Sequence, residues 1–329
     1  MRIKSLGKTG LQVSELCLGT MTFGLQIEED LSRQILDKAA AGGINFIDTA
    51  DVYPLGGGFD TVGRTEEIVG RWLKGRRGSF ILATKACGAM GPNSWEQGAS
   101  RKHLLDAIDT SLQRLGTDYV DLYQLHSDDA STPIDETLEA LDVIVRSGRA
   151  RYVGVSNFLA YRLARALGRA DLRNTARFVC VQPRYSLLFR EIERELLPLC
   201  AEEGLGVIPY NPLAGGFLTG KHRRGTPTEG TRFTLGTAGA RYQKRYWNDR
   251  AFDTVEGYVA LAAEAGVSPV TLAMAWVLAN PIITAPIVGA SRPEQLDDSL
   301  AATGYAIAPD LKKKLDELTH EYRFGDAPR

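Results

Sequence analysis

Short apolar runs alternate along this chain with longer stretches in which apolar residues recur at three- and four-residue steps. The runs at 15–19, 45–49, 80–85, 120–126, 151–156, 178–183, 206–210 and 284–289 read as strands. Helical spacing fills 28–43, 64–75, 100–116, 132–148, 159–170, 190–204, 252–266 and 268–280. Ser100 and Thr132 stand where helix N-caps belong, with Pro133 at a first helical position, and Gly42, Gly116, Gly148 and Gly204 stand where helices stop. The strands are nearly continuous in Val, Ile and Leu, as expected of a parallel sheet covered on both faces. Eight such alternations predict an α/β fold, a closed (β/α)8 barrel forming one domain over residues 1–329. The opening "IKSLGKTGLQV" predicts a small β-hairpin ahead of it. An open doubly wound sheet fits less well, because no G-x-G-x-x-G follows the first strand. The "GKT" at residues 7–9 is not a P-loop, since Arg2 occupies the place of the required glycine.

Composition narrows the function. The chain has 329 residues, and a formal net charge of −1 with basic residues scattered among acids argues against a nucleic-acid or membrane-surface partner. The start "MRIKSLGKTGLQVSEL" lacks the apolar core of a signal peptide. The apolar stretch "VTLAMAWVLANPIITAPIVGA" is interrupted by Pro281 and Pro286, and reads as a buried helix followed by a buried strand rather than a membrane span. Cys17, Cys87, Cys180 and Cys200 form no C-x-x-C pair and read as free thiols of a reducing cytoplasm. No metal-binding spacing is present. No heptad seam announces an oligomer.

Chemistry in such barrels sits at the C-terminal ends of the strands. Those ends carry Asp48 with Tyr53 just beyond, Lys85, His126, Ser156 with Asn157, Gln182, Tyr210, and Gly289 to Arg292. A phenol is a poor acid at neutral pH unless a neighbouring ammonium favours its phenolate. A buried lysine needs a carboxylate beside it, the part open to Asp48, and a neutral His126 can donate to a carbonyl oxygen. Each residue also has a plainer reading: a structural pair for Asp48, a loop aromatic for Tyr53, a solvent-facing Lys85, a satisfied core histidine for His126. Their joint occurrence at three successive strand ends weakens all four.

The segments "GINFIDTADVY", "ILATK", "DLYQLH", "YVGVSNF", "VQPRYSLL", "PYNPLAGGFLTGK" and "IVGASRPEQL" resemble, in order and spacing, those of the aldo-keto reductase superfamily, over nearly the whole chain. The resemblance implies a catalytic tetrad of Asp48, Tyr53, Lys85 and His126. It implies NADP(H), in preference to NAD(H), lying across the barrel mouth. Gly19, Thr20 and Met21 match the loop after the first strand. Ser156, Asn157 and Gln182 match the carboxamide contacts, and Tyr210 the aromatic stacked on the nicotinamide. Asn211, Pro212, Leu213, Gly215, Leu218 and Lys221 match a loop strapped over the pyrophosphate, where Asn211 replaces a more usual serine. Arg232 adds a phosphate contact. Gly289, Ala290, Ser291, Arg292 and Gln295 match the adenosine phosphate end, and Asp298 and Ser299 the adenine contacts. The arginine fork of Arg292 is the reason for preferring NADP(H).

The implied reaction is reversible reduction of an aldehyde or ketone, with Tyr53 as proton donor and a small-molecule carbonyl as partner. Tyr53, His126, Trp95 and Trp247 are the candidate substrate contacts, within an aromatic wall that also includes Tyr185 and Tyr246. Two rivals remain: an NADPH-sensing subunit of the same fold with little turnover, and a barrel isomerase or lyase acting on a phosphorylated sugar.

Overall fold

The computed structural model describes residues 1–325. Strands β1 (Ile3–Ser5) and β2 (Gln12–Ser14) pair antiparallel as the expected hairpin. Eight strands follow: β3 (Cys17–Gly19), β4 (Phe46–Asp48), β5 (Ile81–Ala86), β6 (Val120–Leu125), β7 (Ala150–Ser156), β8 (Phe178–Gln182), β9 (Gly206–Val207) and β10 (Ile287–Val288). They form one parallel sheet in the order β10-β3-β4-β5-β6-β7-β8-β9. Its two edges meet. The Thr284 N–H donates to the Val207 carbonyl at 2.8 Å, and the Ile287 N–H donates to the Pro209 carbonyl at 2.8 Å. The sheet therefore curls into the expected (β/α)8 barrel.

The helices are α1 (Glu29–Ala41), α2 (Arg64–Leu73), α3 (Arg101–Leu115), α4 (Ile134–Arg146), α5 (Ala160–Arg173), α6 (Leu196–Glu203), α7 (Gly236–Tyr246), α8 (Asp249–Glu264), α9 (Pro269–Leu278), α10 (Gln295–Ala301) and α11 (Pro309–Leu318). The Ser100 hydroxyl caps α3, accepting from the His103 N–H. Thr132 does not cap α4: its hydroxyl donates to Asp129 at 2.6 Å, and Pro133 takes the cap position. The 190–204 pattern divides into a 3-10 turn, Glu191–Glu193, and α6. The apolar 268–289 stretch is a buried helix, α9, followed by the short strand β10. No single helix among the described residues is long and apolar enough to cross a membrane.

Side chains alternate along a strand, so positions two apart share a face. Cys17, Phe46, Ala83, Leu122 and Cys180 point inward, where with Ile208, Ala285 and the hairpin residues Leu6 and Val13 they form an apolar layer closing the barrel bottom. Two residues further along the same strands stand Gly19, Asp48, Lys85, Gln124 and Gln182. The next layer up is polar, and it lies at the mouth.

Candidate active site

Strand register assembles that polar layer. Gly19 pairs with Asp48, and Lys85 with Gln124. Lys85 is fully buried, and its Nζ donates to Asp48 Oδ1 at 2.5 Å and to the Thr49 carbonyl at 2.7 Å. The other Asp48 oxygen accepts from Gln124 Nε2 at 3.1 Å and Gln182 Nε2 at 2.9 Å. Thr20 holds the strand behind it, its N–H and hydroxyl both donating to the Asp48 carbonyl. The lysine's third neighbour is the Tyr53 hydroxyl, 3.4 Å away. The His126 ring stands edge-on to Tyr53 with centroids 5.6 Å apart. Asp48, Lys85 and His126 thus gather with Tyr53 at the mouth, and Lys85 reaches the phenolic oxygen.

The electrostatics follow from burial. Desolvation works against the Lys85 ammonium, but Asp48 and Tyr53 more than offset it, so its pKa lies above the ordinary lysine value. Burial lifts the Tyr53 phenol above its usual value while Lys85 pulls it back down. The ammonium acts in the expected direction, yet desolvation is the larger effect, and the phenol holds its proton firmly. Burial, aided by Lys85, depresses His126 to about 3. The imidazole is neutral across the physiological range and keeps one N–H to donate.

Beside the tetrad runs a connected rim. The Ser156 hydroxyl donates to the Gln182 carbonyl at 2.8 Å, Asn157 Nδ2 donates to the His126 carbonyl at 2.9 Å, and the Tyr210 hydroxyl donates to Asn157 Oδ1 at 2.8 Å. Beyond Tyr210 the chain makes a strap. Asn211, Ala214, Gly215 and Gly216 all take left-handed φ angles, three of them in succession. A side chain at Gly215 would also strike the Tyr242 ring, at 2.6 Å. Such conformations cluster where backbone N–H groups face a ligand. Asn211 Nδ2 is buried there without a hydrogen-bond partner among the described residues. Arg232 reaches Met21 Sδ at 3.4 Å and lies over the Tyr242 ring, bringing the first-strand loop to the strap. Pro212 and Leu218 are buried and Leu213 half-buried, whereas Lys221 is exposed.

At the end of β10, Gly289, Ser291, Arg292 and Gln295 are exposed and Ala290 is buried. The Gln295 side-chain carbonyl accepts from both the N–H and the hydroxyl of Ser291, forming a small turn. Asp298 is exposed and Ser299 buried. The orphaned Asn211 amide and the left-handed strap suit a phosphorylated nucleotide, and Arg292 has no hydrogen bond or ion pair among the described residues. Trp95 stands 55% exposed on the loop after β5. Trp247 is seated among Phe217, His222, Phe233 and Phe252, its indole N–H donating to the Gly225 carbonyl at 2.7 Å. Tyr185 packs on Trp276, and Tyr246 is fully buried, so neither lines an open pocket.

Two participants escaped the sequence reading. Gln124 holds Asp48, and the signal for it was a glutamine within the otherwise apolar "VDLYQL". Tyr242 reaches the strap, its hydroxyl donating to Asn211 Oδ1 at 3.3 Å. It lies on α7, a helix with too few apolar positions to be seen by periodicity.

The model of the aldo/keto reductase family matches residues 15–319. The chain is 38% identical to an uncharacterized oxidoreductase, YrpG, of Bacillus subtilis, covering 97% of this chain and 96% of that protein. It is 38% identical, with the same coverage, to a probable voltage-gated potassium channel subunit beta of Arabidopsis thaliana. It is 34% identical to Protein tas of Escherichia coli, over 98% and 99% of the two chains.

Proposed function

The chain belongs to the aldo/keto reductase family, and from that premise we propose that it is an NADP(H)-dependent carbonyl reductase, one barrel domain that interconverts an aldehyde or ketone with its alcohol. The observation that carries this reading is the Tyr53 hydroxyl held 3.4 Å from a Lys85 ammonium that is itself locked to Asp48. When bound, the nicotinamide supplies a hydride to the carbonyl carbon.

The residues of the chain do the rest. His126, neutral, donates to the carbonyl oxygen and fixes its direction. Tyr53 gives its proton to the same oxygen as negative charge develops there. Lys85 lies beside the phenolate left behind and stabilises it at the moment charge appears. Asp48, tied down by Gln124 and Gln182, keeps the ammonium from turning away. In this reading Ser156, Asn157 and Tyr210 hold the nicotinamide end, the 211–221 strap and Arg232 the pyrophosphate, and Ser291, Arg292 and Gln295 the 2′-phosphate that separates NADP from NAD. Four buried free thiols fit a reducing compartment.

The test is NADPH consumption, followed by absorbance, against a panel of aliphatic, aromatic and sugar carbonyls. Turnover on at least one, with NADH markedly poorer, is the expected result. A second reading has support of its own. A relative of equal similarity is named as a channel subunit beta, so the chain could serve instead as a cofactor-binding subunit of a larger partner. Tight NADPH binding with no turnover on any carbonyl, and a stable partner in pull-down, decides for that reading.

A further inference from the structure

The mechanism above gives Tyr242 no part. It stands in the middle of α7, buried, with its ring held by three contacts. One edge lies on the strap, where a Cβ at Gly215 would come within 2.6 Å of the ring. The Arg232 guanidinium lies over the ring, 5.5 Å from its centroid, and the Phe233 ring meets it edge-on with centroids 6.2 Å apart. A ring so placed also places its hydroxyl, because the C–O bond lies in the ring plane. That hydroxyl donates to Asn211 Oδ1 at 3.3 Å, the one side-chain hydrogen bond that either residue makes among the described residues.

The amide of Asn211 can face two ways. Half a turn about its last bond exchanges the acceptor oxygen for the donor NH2 group with almost no change of shape. The backbone φ of 57° is a left-handed value that asparagine takes more readily than most residues. That accounts for an asparagine at this position but not for the direction of its amide. Tyr242 supplies the direction. A phenol has one proton, and with Oδ1 turned toward it that proton is bonded. With the NH2 group turned toward it the phenol would accept instead, and its own proton would be buried without an acceptor, which is costly. The oxygen therefore faces Tyr242. Nδ2 is left as a buried donor with no partner among the described residues. An unused donor within a strap of left-handed backbone suits an anionic oxygen.

We propose that Tyr242 is a positioning residue for the dinucleotide: its hydroxyl turns the Asn211 amide so that the strap offers a cofactor phosphate an N–H donor rather than a carbonyl oxygen. The proposal rests on the NADP(H) reading of the strap and adds to it a residue that acts through Asn211. A carbonyl oxygen facing a phosphate repels it, so the direction of this one amide separates an attractive contact from a repulsive one.

The test is a double-mutant cycle on NADPH affinity, read by quenching of protein fluorescence. Tyr242→Phe keeps the ring against Gly215 and Arg232 and removes only the hydroxyl. Its Kd for NADPH should rise about tenfold, the scale of one hydrogen bond to a charged group. Asn211→Gly tolerates the left-handed backbone and removes the amide, and its Kd should rise by a similar factor. The double variant should bind no more weakly than Asn211→Gly alone, because Tyr242 acts only through the amide. A further tenfold loss in the Asn211→Gly background overturns the proposal, since strap packing then accounts for the effect. So does an unchanged Kd in Tyr242→Phe. Asn211→Asp probes the same point without touching α7. Its carboxylate still accepts from Tyr242, but an oxygen replaces Nδ2, so NADPH should bind more weakly than to Asn211→Gly. Binding as tight as wild type overturns the proposal. A wild-type protein that binds neither NADPH nor NADH removes the cofactor reading and the proposal with it, whereas each of the other failures leaves that reading standing.

Discussion

Lys85 donates to Asp48 across 2.5 Å, and both side chains are closed off from water. A buried ion pair contributes little net stability when intact, because desolvation cancels much of the attraction. Removing one partner leaves the other charged and alone. Asp48→Ala should therefore cost about 3–5 kcal/mol, measured by urea unfolding. The same variant frees the amides of Gln124 and Gln182 that now bond the carboxylate. A loss under about 1 kcal/mol would mean that Lys85 finds another partner or water.

Tyr53→Phe removes only the hydroxyl. The ring stays packed against His126, and the strap is untouched. Turnover should fall by about 10²–10⁴-fold, the usual worth of a positioned general acid. NADPH affinity, followed by quenching of protein fluorescence, should stay close to wild type. Wild-type turnover in this variant would remove the phenol from the mechanism.

The neutral His126 leaves a mark on stability. The unfolded chain takes up the imidazole proton near pH 6.5, whereas burial and Lys85 delay it to about 3 in the folded protein. Between those values the unfolded state binds more protons, so the contribution to stability falls as pH falls. His126→Gln should show a shallower loss of unfolding free energy from pH 6.5 down to 4. Identical slopes in the two proteins would contradict a neutral imidazole.

Asp51 lies between the tetrad residues in sequence, and its backbone N–H donates to the Lys85 carbonyl at 3.1 Å, but its carboxylate is not among the partners of the Lys85 ammonium. Burial pushes its carboxyl well up, Glu66 adds to this, and neither oxygen has a hydrogen-bond partner of good geometry among the described residues. Here the folded protein keeps a proton that the unfolded chain loses near pH 3.9, so stability falls as pH rises through the interval above that value. Asp51→Asn should be better tolerated at pH 7.5 than at pH 4.5, by about 1.4 kcal/mol for each unit of displaced proton affinity. Thermal unfolding at both pH values checks it. A variant that gains nothing at the higher pH would show that Asp51 is ionised.

Much of the architecture was open to reading from the pattern alone. Each barrel strand coincides with an apolar run, and α3 begins at its Ser100 cap. The parts that escaped share a physical cause. α7 buries only Ala238, Tyr242 and Tyr246 against the strap among its described side chains, so its apolar spacing is too sparse to stand out. Gln124 lies inside a strand rather than at its end, and its role depends on facing Lys85 across the β5–β6 pair. Trp247 has the composition of a pocket residue but fills the space under the strap, because Phe217, Phe233 and Phe252 offer it more apolar surface.

Taken alone, the order of residues determined the alternation of strands and helices, and with it the barrel. Period-two alternation then placed Asp48, Lys85 and Gln182 one layer above Phe46, Ala83 and Cys180. Those outcomes are local, since each depends on a few neighbours in the chain. Only the folded molecule decided which oxygen of Asp48 meets Lys85, that two glutamines hold the other, and that α7 brings Tyr242 to the strap. Those relationships span many residues and arise from ring closure and loop packing, where contacts between distant segments outweigh any preference carried by one segment.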